Sequence, residues 1–204
     1  LRGEESFAKV MDMAEYARRE INEIGGYYAY GKELVNGTSV YDYDVTKLSV
    51  HTLGLGLAGI EVYDLLRDEY DIQIEFGDVS NILAYISIGD RLQDIERLVG
   101  ALADIARIYK KDSTGMLSGE FISPIVARSP QEAFYSAKES MPVEKTEGRI
   151  SGEFVMCYPP GIPILAPGEM ITDEIIQYIL YVKEKGCSMQ GTEDKSVNKL
   201  KVLV

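Results

Sequence analysis

The amino-acid sequence predicts an α+β fold, with a mainly antiparallel sheet and helices on one of its faces, followed by a smaller α+β domain. Three observations lead to this fold class. Apolar residues recur at helical spacing in long segments, and short strand-like segments lie between them. The predicted strands at 72–76 and 81–88 are separated by only four residues, which suits a hairpin and is too short for a parallel crossover. The composition also changes near residue 113, because all seven prolines lie beyond it.

The first part of the chain is predicted to contain a helix, two strands and a second helix. Apolar residues at three- and four-residue steps over 7–24 indicate an amphipathic helix that ends at Gly25–Gly26. YYAY at 27–30 and KLSVHTL at 47–53 are typical of strands. The second helix is expected over Gly59–Tyr70. A polar, turn-rich connection separates the two strands.

Two further strands and a third long helix complete the first domain. The strands are IQIEF at 72–76 and NILAYISI at 81–88. Asp90 is predicted to cap the third helix, whose apolar residues over 95–106 form one face. A charged linker bearing glycine and serine then marks a domain boundary near residue 113.

Beyond the linker, the sequence predicts a second set of helices and strands. A helix is expected around 129–138 and a strand around 152–157. Thr172 or Asp173 is predicted to cap a helix that runs to about residue 185, and KLKVLV closes the chain as a strand.

The composition excludes several classes of function. Thirty-three acidic residues against 21 basic ones give a net charge of −12, which disfavours binding to nucleic acid and to anionic membranes. No apolar run approaches the roughly 20 residues of a membrane-spanning helix. Two cysteines and a single histidine predict neither a disulfide framework nor a metal site. We therefore expect a soluble cytoplasmic protein.

Three glycines form a possible nucleotide-binding motif. Gly54, Gly56 and Gly59 have the G-x-G-x-x-G spacing, and Glu75 follows where a dinucleotide-binding protein keeps its ribose-binding acid. Such a site needs a parallel βαβ unit, whereas the predicted hairpin indicates an antiparallel sheet. A tight turn with close packing of the helix is the favoured interpretation, and nucleotide binding remains the alternative.

Two acids flank the predicted turn of the hairpin. From the pattern alone, Glu75 at the end of a strand is expected to be solvated. Asp78 is expected either to accept a backbone hydrogen bond in the turn or to lie beside Glu75 in a binding site.

A proline-rich segment, MCYPPGIPILAPGE at 156–169, is the other candidate for a functional element. Each proline fixes φ and lacks an amide donor, so we expect a stiff, extended loop outside any sheet interior. Such a loop would present Tyr158 at little entropic cost. The segment has two other interpretations. It could be a structural crossover whose tyrosine is packed, or a ligand for SH3 or WW modules.

These motifs together resemble the bacterial ornithine/lysine/arginine decarboxylases, which use pyridoxal phosphate. The resemblance rests on the proline loop with PGE at 167–169 before a capped helix, on EGRIS at 147–151, and on SIGD at 87–90 closing the hairpin. It implies a linking helix and edge strand over 1–45, the small domain of a fold-type-I enzyme over 46–112, and the family's C-terminal domain over 113–204.

The resemblance also implies a function for the complete protein, the decarboxylation of arginine, lysine or ornithine. The cofactor of that family accepts electrons as CO2 leaves, and it is held by a lysine that follows a histidine in a preceding large domain. Here His51, the only histidine, is followed by Thr52. We therefore expect no catalytic residue, no large domain and no activity in this chain alone, and we expect it to act with that domain in a homodimer or higher oligomer.

The family's substrate-binding positions can be transferred to this sequence. Glu75 falls on the glutamate that meets the distal cation of the substrate, with Asp78 as a possible reinforcement. Tyr158 falls on a tyrosine at the mouth of the active site, held by a pocket loop of Pro159, Pro160 and Gly161. A non-catalytic assembly or regulatory module is the alternative from another functional class.

Overall fold

A computed structural model describes residues 3–112, 122–158 and 160–204. The chain divides into two compact units, residues 1–118 and 119–204. Both units combine helices with antiparallel sheets, which confirms the predicted α+β class. No helix in these described ranges has the length and apolarity to cross a membrane.

The first unit is a four-stranded antiparallel sheet with three helices. The strand order is β1-β2-β4-β3. In chain order the elements are α1 Gly3–Ile24, β1 Tyr28–Ala29, β2 Lys47–His51, α2 Gly59–Tyr70, β3 Phe76–Gly77, β4 Asn81–Tyr85 and α3 Leu92–Ile108.

Strand alternation explains why the helices of the first unit cover only one face of this sheet. Leu48 and Val50 of β2 and Ile82 and Ala84 of β4 are buried in one cluster with residues of all three helices. The intervening side chains, such as His51, point to the other face and are partly exposed. The predicted arrangement of helices on one face is confirmed, and the side chains on the opposite face are left partly accessible.

Two local predictions in the first unit are wrong. Of the strand expected at 72–76, only the last residue lies in β3; before it, the Glu75 N–H donates to the Leu83 carbonyl at 3.0 Å, and the Ile74 carbonyl accepts the Gln73 side-chain amide at 2.9 Å. Asp90 does not cap α3, because its carboxylate accepts the Ser87 N–H at 2.6 Å. Arg91 is the residue before the helix, and the Asp94 carboxylate accepts its N–H at 3.0 Å.

The second unit has a two-stranded sheet, β5-β9, and a three-stranded sheet in the order β7-β6-β8. Its core is a cluster of aliphatic side chains to which the last helix and the last strand contribute most. In chain order the elements are α4 Pro130–Tyr135, β5 Lys138–Pro142, β6 Val155–Tyr158, β7 Ile162–Leu165, α5 Asp173–Glu184, β8 Ser188–Gln190 and β9 Lys199–Leu203.

The second unit confirms the predicted cap of α5 and corrects two strands. The Thr172 hydroxyl accepts the Ile175 N–H at 3.3 Å. Strands β5 and β8 were not expected from the sequence, because neither segment has an alternating apolar pattern. Both are edge strands, so pairing with one neighbour rather than burial of a face defines them.

Candidate functional site

Glu75 lies immediately before β3, and the hairpin fixes its backbone. Its N–H donates to the Leu83 carbonyl at 3.0 Å. The side chain is exposed and lines an open groove of about 480 Å³ between residues 71–75, residues 84–87 and the start of α3. Within the described part of the chain, its carboxylate makes no hydrogen bond or ion pair. The charge of Glu75 is therefore available to a ligand.

The other carboxylates that line this groove are already engaged. Asp90 accepts the Ser87 N–H. Asp94 forms an ion pair with Arg91 at 3.2 Å, and that hydrogen-bonded guanidinium holds the pKa of Asp94 below its usual value. Asp71 lies 3.8 Å from Arg97. The Asp71 contact is an exposed ion pair without a hydrogen bond, and Glu75 is the lining acid with neither a hydrogen bond nor an ion pair among the described residues.

Asp78 has a structural role in the hairpin turn. Its Oδ1 accepts the backbone N–H groups of Ser80 and Asn81, both at 2.7 Å. The Asp78 carbonyl also accepts the N–H of Ile60 at the start of α2. The turn role that the sequence left open is therefore present, and the carboxylate ties the hairpin together three residues from Glu75.

His51 belongs to a small polar cluster on the partly exposed face of the sheet. Its Nδ1 lies 3.3 Å from Asn81 Oδ1, which also accepts the Tyr30 hydroxyl at 3.3 Å. The Tyr30 and His51 rings meet edge to face. Partial burial and the nearby Asp78 carboxylate raise the pKa of Tyr30 above its usual value. His51 is therefore a partly exposed strand residue with polar contacts inside the first unit.

The proline-rich segment is a β-hairpin rather than an extended loop. Tyr158 ends β6, the central strand of its sheet, and its side chain is 51% exposed. Gly161 has φ +93° and donates its N–H to the Cys157 carbonyl at 2.9 Å, which closes the turn. Pro160 is exposed in this turn, and Pro159 lies outside the described residues. Pro163 occurs in the edge strand β7, where a missing N–H costs no ladder bond.

The three glycines of the possible nucleotide motif are packing residues. A Cβ on Gly54 would lie 2.7 Å from the Gly26 carbonyl oxygen, and one on Gly56 would lie 2.6 Å from that of Lys111. A Cβ on Gly59 would lie 2.0 Å from the Asn81 oxygen. The sheet they adjoin is antiparallel throughout, so the parallel βαβ unit that a dinucleotide site needs is not formed by the described residues.

Glu75 and Tyr158 lie in different units, and each presents an accessible side chain on a hairpin. Asp94 and Arg97, the charged residues of α3 that line the groove, were not identified from the sequence. Their part in the groove depends on how α3 packs against the hairpin, and no local motif indicates that packing.

Comparison with known proteins places the chain in a family. Residues 118–195 match the family model described as Orn/Lys/Arg decarboxylase, C-terminal domain. The arginine decarboxylase of Halalkalibacterium halodurans is 38% identical over 207 residues, covering 98% of this chain and 42% of that protein. The chain belongs to the Orn/Lys/Arg decarboxylase family. The arginine decarboxylase of Bacillus subtilis is 37% identical over 204 residues, again covering 98% and 42%.

Solved structures of Orn/Lys/Arg decarboxylase family members share the fold. The Francisella novicida lysine decarboxylase LdcF matches with a TM-score of 0.68 and 19% identity, over 100% of this chain and 40% of that one. The constitutive lysine decarboxylase of Escherichia coli matches with a TM-score of 0.67 and 17% identity, over 99% and 41%. The chain thus spans about two fifths of the length of the relatives it matches.

Proposed function

We propose that this chain is the C-terminal part of a cytoplasmic, pyridoxal-phosphate-dependent decarboxylase of a basic amino acid, arginine, lysine or ornithine. The reaction would release CO2 and leave the corresponding amine, a polyamine or its precursor. The observation that carries this proposal is the 38% identity to an arginine decarboxylase over 98% of the chain. The activity belongs to the complete enzyme, because the chain spans only 42% of that relative.

Glu75 is the residue we assign to the distal cation of the substrate. A guanidinium or ammonium that enters a closed site needs an opposite charge and charge-assisted hydrogen bonds. Glu75 supports this role because its carboxylate is exposed and unpaired among the described residues, while the other lining acids are engaged. Asp78 acts through the turn it holds, as a positioning residue for Glu75.

Tyr158 is the residue we assign to the rim of the substrate pocket. It ends a central strand, and the tight turn at Gly161 restricts the backbone beside it. A Cβ at Gly161 would lie 3.4 Å from the Tyr158 ring. We propose that Pro160 and Gly161 of the pocket loop hold an accessible phenol that can contact or hydrogen-bond a ligand; Pro159 lies outside the described residues.

The residues of this chain do not fit pyridoxal phosphate by themselves. His51 is followed by Thr52 rather than by a lysine. The Thr52 side chain is fully buried and donates to the Leu57 carbonyl at 2.9 Å, so this position packs the fold rather than facing a ligand. We propose that the Schiff-base lysine comes from a large domain outside this sequence, that the enzyme is at least a homodimer, and that this chain alone is inactive.

The complete enzyme carrying Glu75→Gln tests the proposal. Glutamine keeps the shape but removes the charge, so we expect the KM for the preferred basic amino acid to rise about 10- to 100-fold, as for loss of one charge-assisted hydrogen bond. The matched control is Glu23→Gln, an exposed glutamate on α1. It should leave KM within about twofold. Steady-state CO2 release with added pyridoxal phosphate gives both values.

Three results would contradict this assignment. An unchanged KM in Glu75→Gln removes Glu75 from the substrate site. An equal rise in the Glu23→Gln control indicates a general charge effect. A complete protein that assembles but neither releases CO2 nor distinguishes cationic from neutral amino acids supports the assembly module instead.

A further inference from the structure

A second cavity, in the second unit, is unrelated to the groove at Glu75. It has a volume of about 780 Å³ and lies between the end of α5, strand β8 and residues 191–196. This volume is within the range of small-molecule sites, roughly 300–1,000 Å³. We call it the lysine cavity, because Lys183 and Lys195 line it.

The lining of the lysine cavity contrasts with the charge of the whole chain. The chain has 33 acidic and 21 basic residues, yet among the described lining residues there are two lysines and no carboxylate. Ser188 and Ser196 are part of the same lining, as is Thr192, whose hydroxyl already donates to the Asp194 carbonyl at 2.9 Å. Such a set offers positive charge and hydrogen-bond donors, which is the complement of an anion.

The two acids beside Lys195 in the sequence, Glu193 and Asp194, take part in contacts within the loop and with β9. Asp194 accepts the backbone N–H groups of Ser196, Asn198 and Lys199, each at 3.0 Å. Glu193 forms an ion pair with Lys201 of β9. These contacts hold the loop in shape. Backbone hydrogen bonds, first from Ser196, and the nearby charge of Lys183 lower the pKa of Asp194, but neither acid forms an ion pair with a cavity lysine.

The two lysines supply donors of different kinds. Lys183 donates to Asn198 Oδ1 at 2.6 Å, which fixes the ammonium and leaves two of its three N–H groups. Lys195 is exposed and has no hydrogen bond or ion pair to another described residue. Strand β8 lies at the edge of its sheet, so its backbone N–H and C=O groups that face away from β6 have no partner strand.

We propose that the lysine cavity binds a small phosphate-bearing molecule, with the phosphate held by Lys183 and Lys195 and by one of the hydroxyls. A phosphate group offers three acceptor oxygens and up to two charges, which matches two ammonium groups and neighbouring hydroxyls better than a single carboxylate does. The proposal goes beyond the decarboxylase assignment and does not depend on it.

Calorimetric titration of the 204-residue chain with pyrophosphate, in about 150 mM KCl to screen non-specific attraction, tests the proposal. We expect saturable binding at one site. Lys183→Met and Lys195→Met should each weaken it about tenfold, as for loss of one charge-assisted contact. The matched control is Lys199→Met, because Lys199 is exposed on β9 and does not line the cavity. It should change the Kd less than about twofold.

Each possible result decides the matter. The proposal is overturned if the heat of pyrophosphate binding does not saturate. It is also overturned if Lys199→Met weakens binding as much as the two cavity variants do. Since Lys195 is exposed, its substitution should not disturb folding, and an unchanged Kd in Lys195→Met also overturns the proposal. Citrate run in parallel should bind at least about tenfold more weakly than pyrophosphate, and equal binding shows a general anion site rather than a phosphate site.

Discussion

Replacing Asp78 by alanine tests whether the two neighbouring acids of the first unit have different roles. The substitution removes the Oδ1 that accepts the N–H groups of Ser80 and Asn81, both at 2.7 Å. Ser80 is buried, with 6% of its surface exposed, so its amide has little access to water as a replacement. Hydrogen bonds to a charged group contribute about 1.5–3 kcal/mol each, and turn and cap acceptors typically about 1 kcal/mol.

We therefore expect Asp78→Ala to lower the free energy of unfolding by about 2 kcal/mol. Asp78→Asn keeps an acceptor oxygen at the same position and should recover more than half of that loss. Glu75→Ala should cost less than about 0.5 kcal/mol, because that carboxylate has no partner among the described residues and is exposed. The two acids are three residues apart, so the comparison holds the local sequence nearly constant.

The assay is urea unfolding followed by far-ultraviolet circular dichroism, which suits a chain without tryptophan. The reasoning is refuted if Asp78→Ala unfolds at the same urea concentration as the parent. It is equally refuted if Glu75→Ala is as destabilising as Asp78→Ala, because the structure would then have missed a partner of Glu75.

Two further predictions concern a glycine of the nucleotide-like motif and an acid of the second unit. Gly59→Ala should destabilise the first unit by at least about 3 kcal/mol, because the added Cβ would lie 2.0 Å from a backbone oxygen. Gly100 has open space around it, so Gly100→Ala should stabilise α3 by up to about 1 kcal/mol in the same urea assay. If both variants behave alike, close packing does not explain Gly59. Backbone hydrogen bonds, first from Ser196, lower the pKa of Asp194. The stability that these hydrogen bonds supply is present above the unfolded pKa of about 3.9 and is lost as the pH falls through the folded pKa. Asparagine does not titrate, so the thermal midpoint of Asp194→Asn should fall less than that of the parent between about pH 5 and pH 3. An identical pH profile would contradict this role.

The groove at Glu75 shows how far sequence reasoning reaches in this protein. The four residues between two predicted strands were enough to indicate an antiparallel hairpin, and the hairpin was enough to disfavour a dinucleotide site. The place of Glu75 at the end of the hairpin follows from the same pattern. The contacts of Asp90 and Asp94 are with residues three positions away, but the ion pair between Asp71 and Arg97 depends on how α3 packs against the hairpin, which the pattern does not contain.

Local periodicity determined the elements of this protein. The bounds of α2 and the C-terminal end of α1 follow from apolar spacing and glycine, because helix formation depends on contacts between residues three and four positions apart. The family resemblance likewise follows from local motifs such as the proline segment. The tertiary structure decided which side chains are exposed and which are bonded to other residues. Strand β3 is shorter than the pattern predicts, and the edge strands β5 and β8 exist only through their partners. The exposure of a side chain and the charges around it depend on groups distant in the chain. For that reason only the tertiary structure shows that the Glu75 carboxylate is accessible, whereas the Asp78 carboxylate is bonded within the hairpin turn.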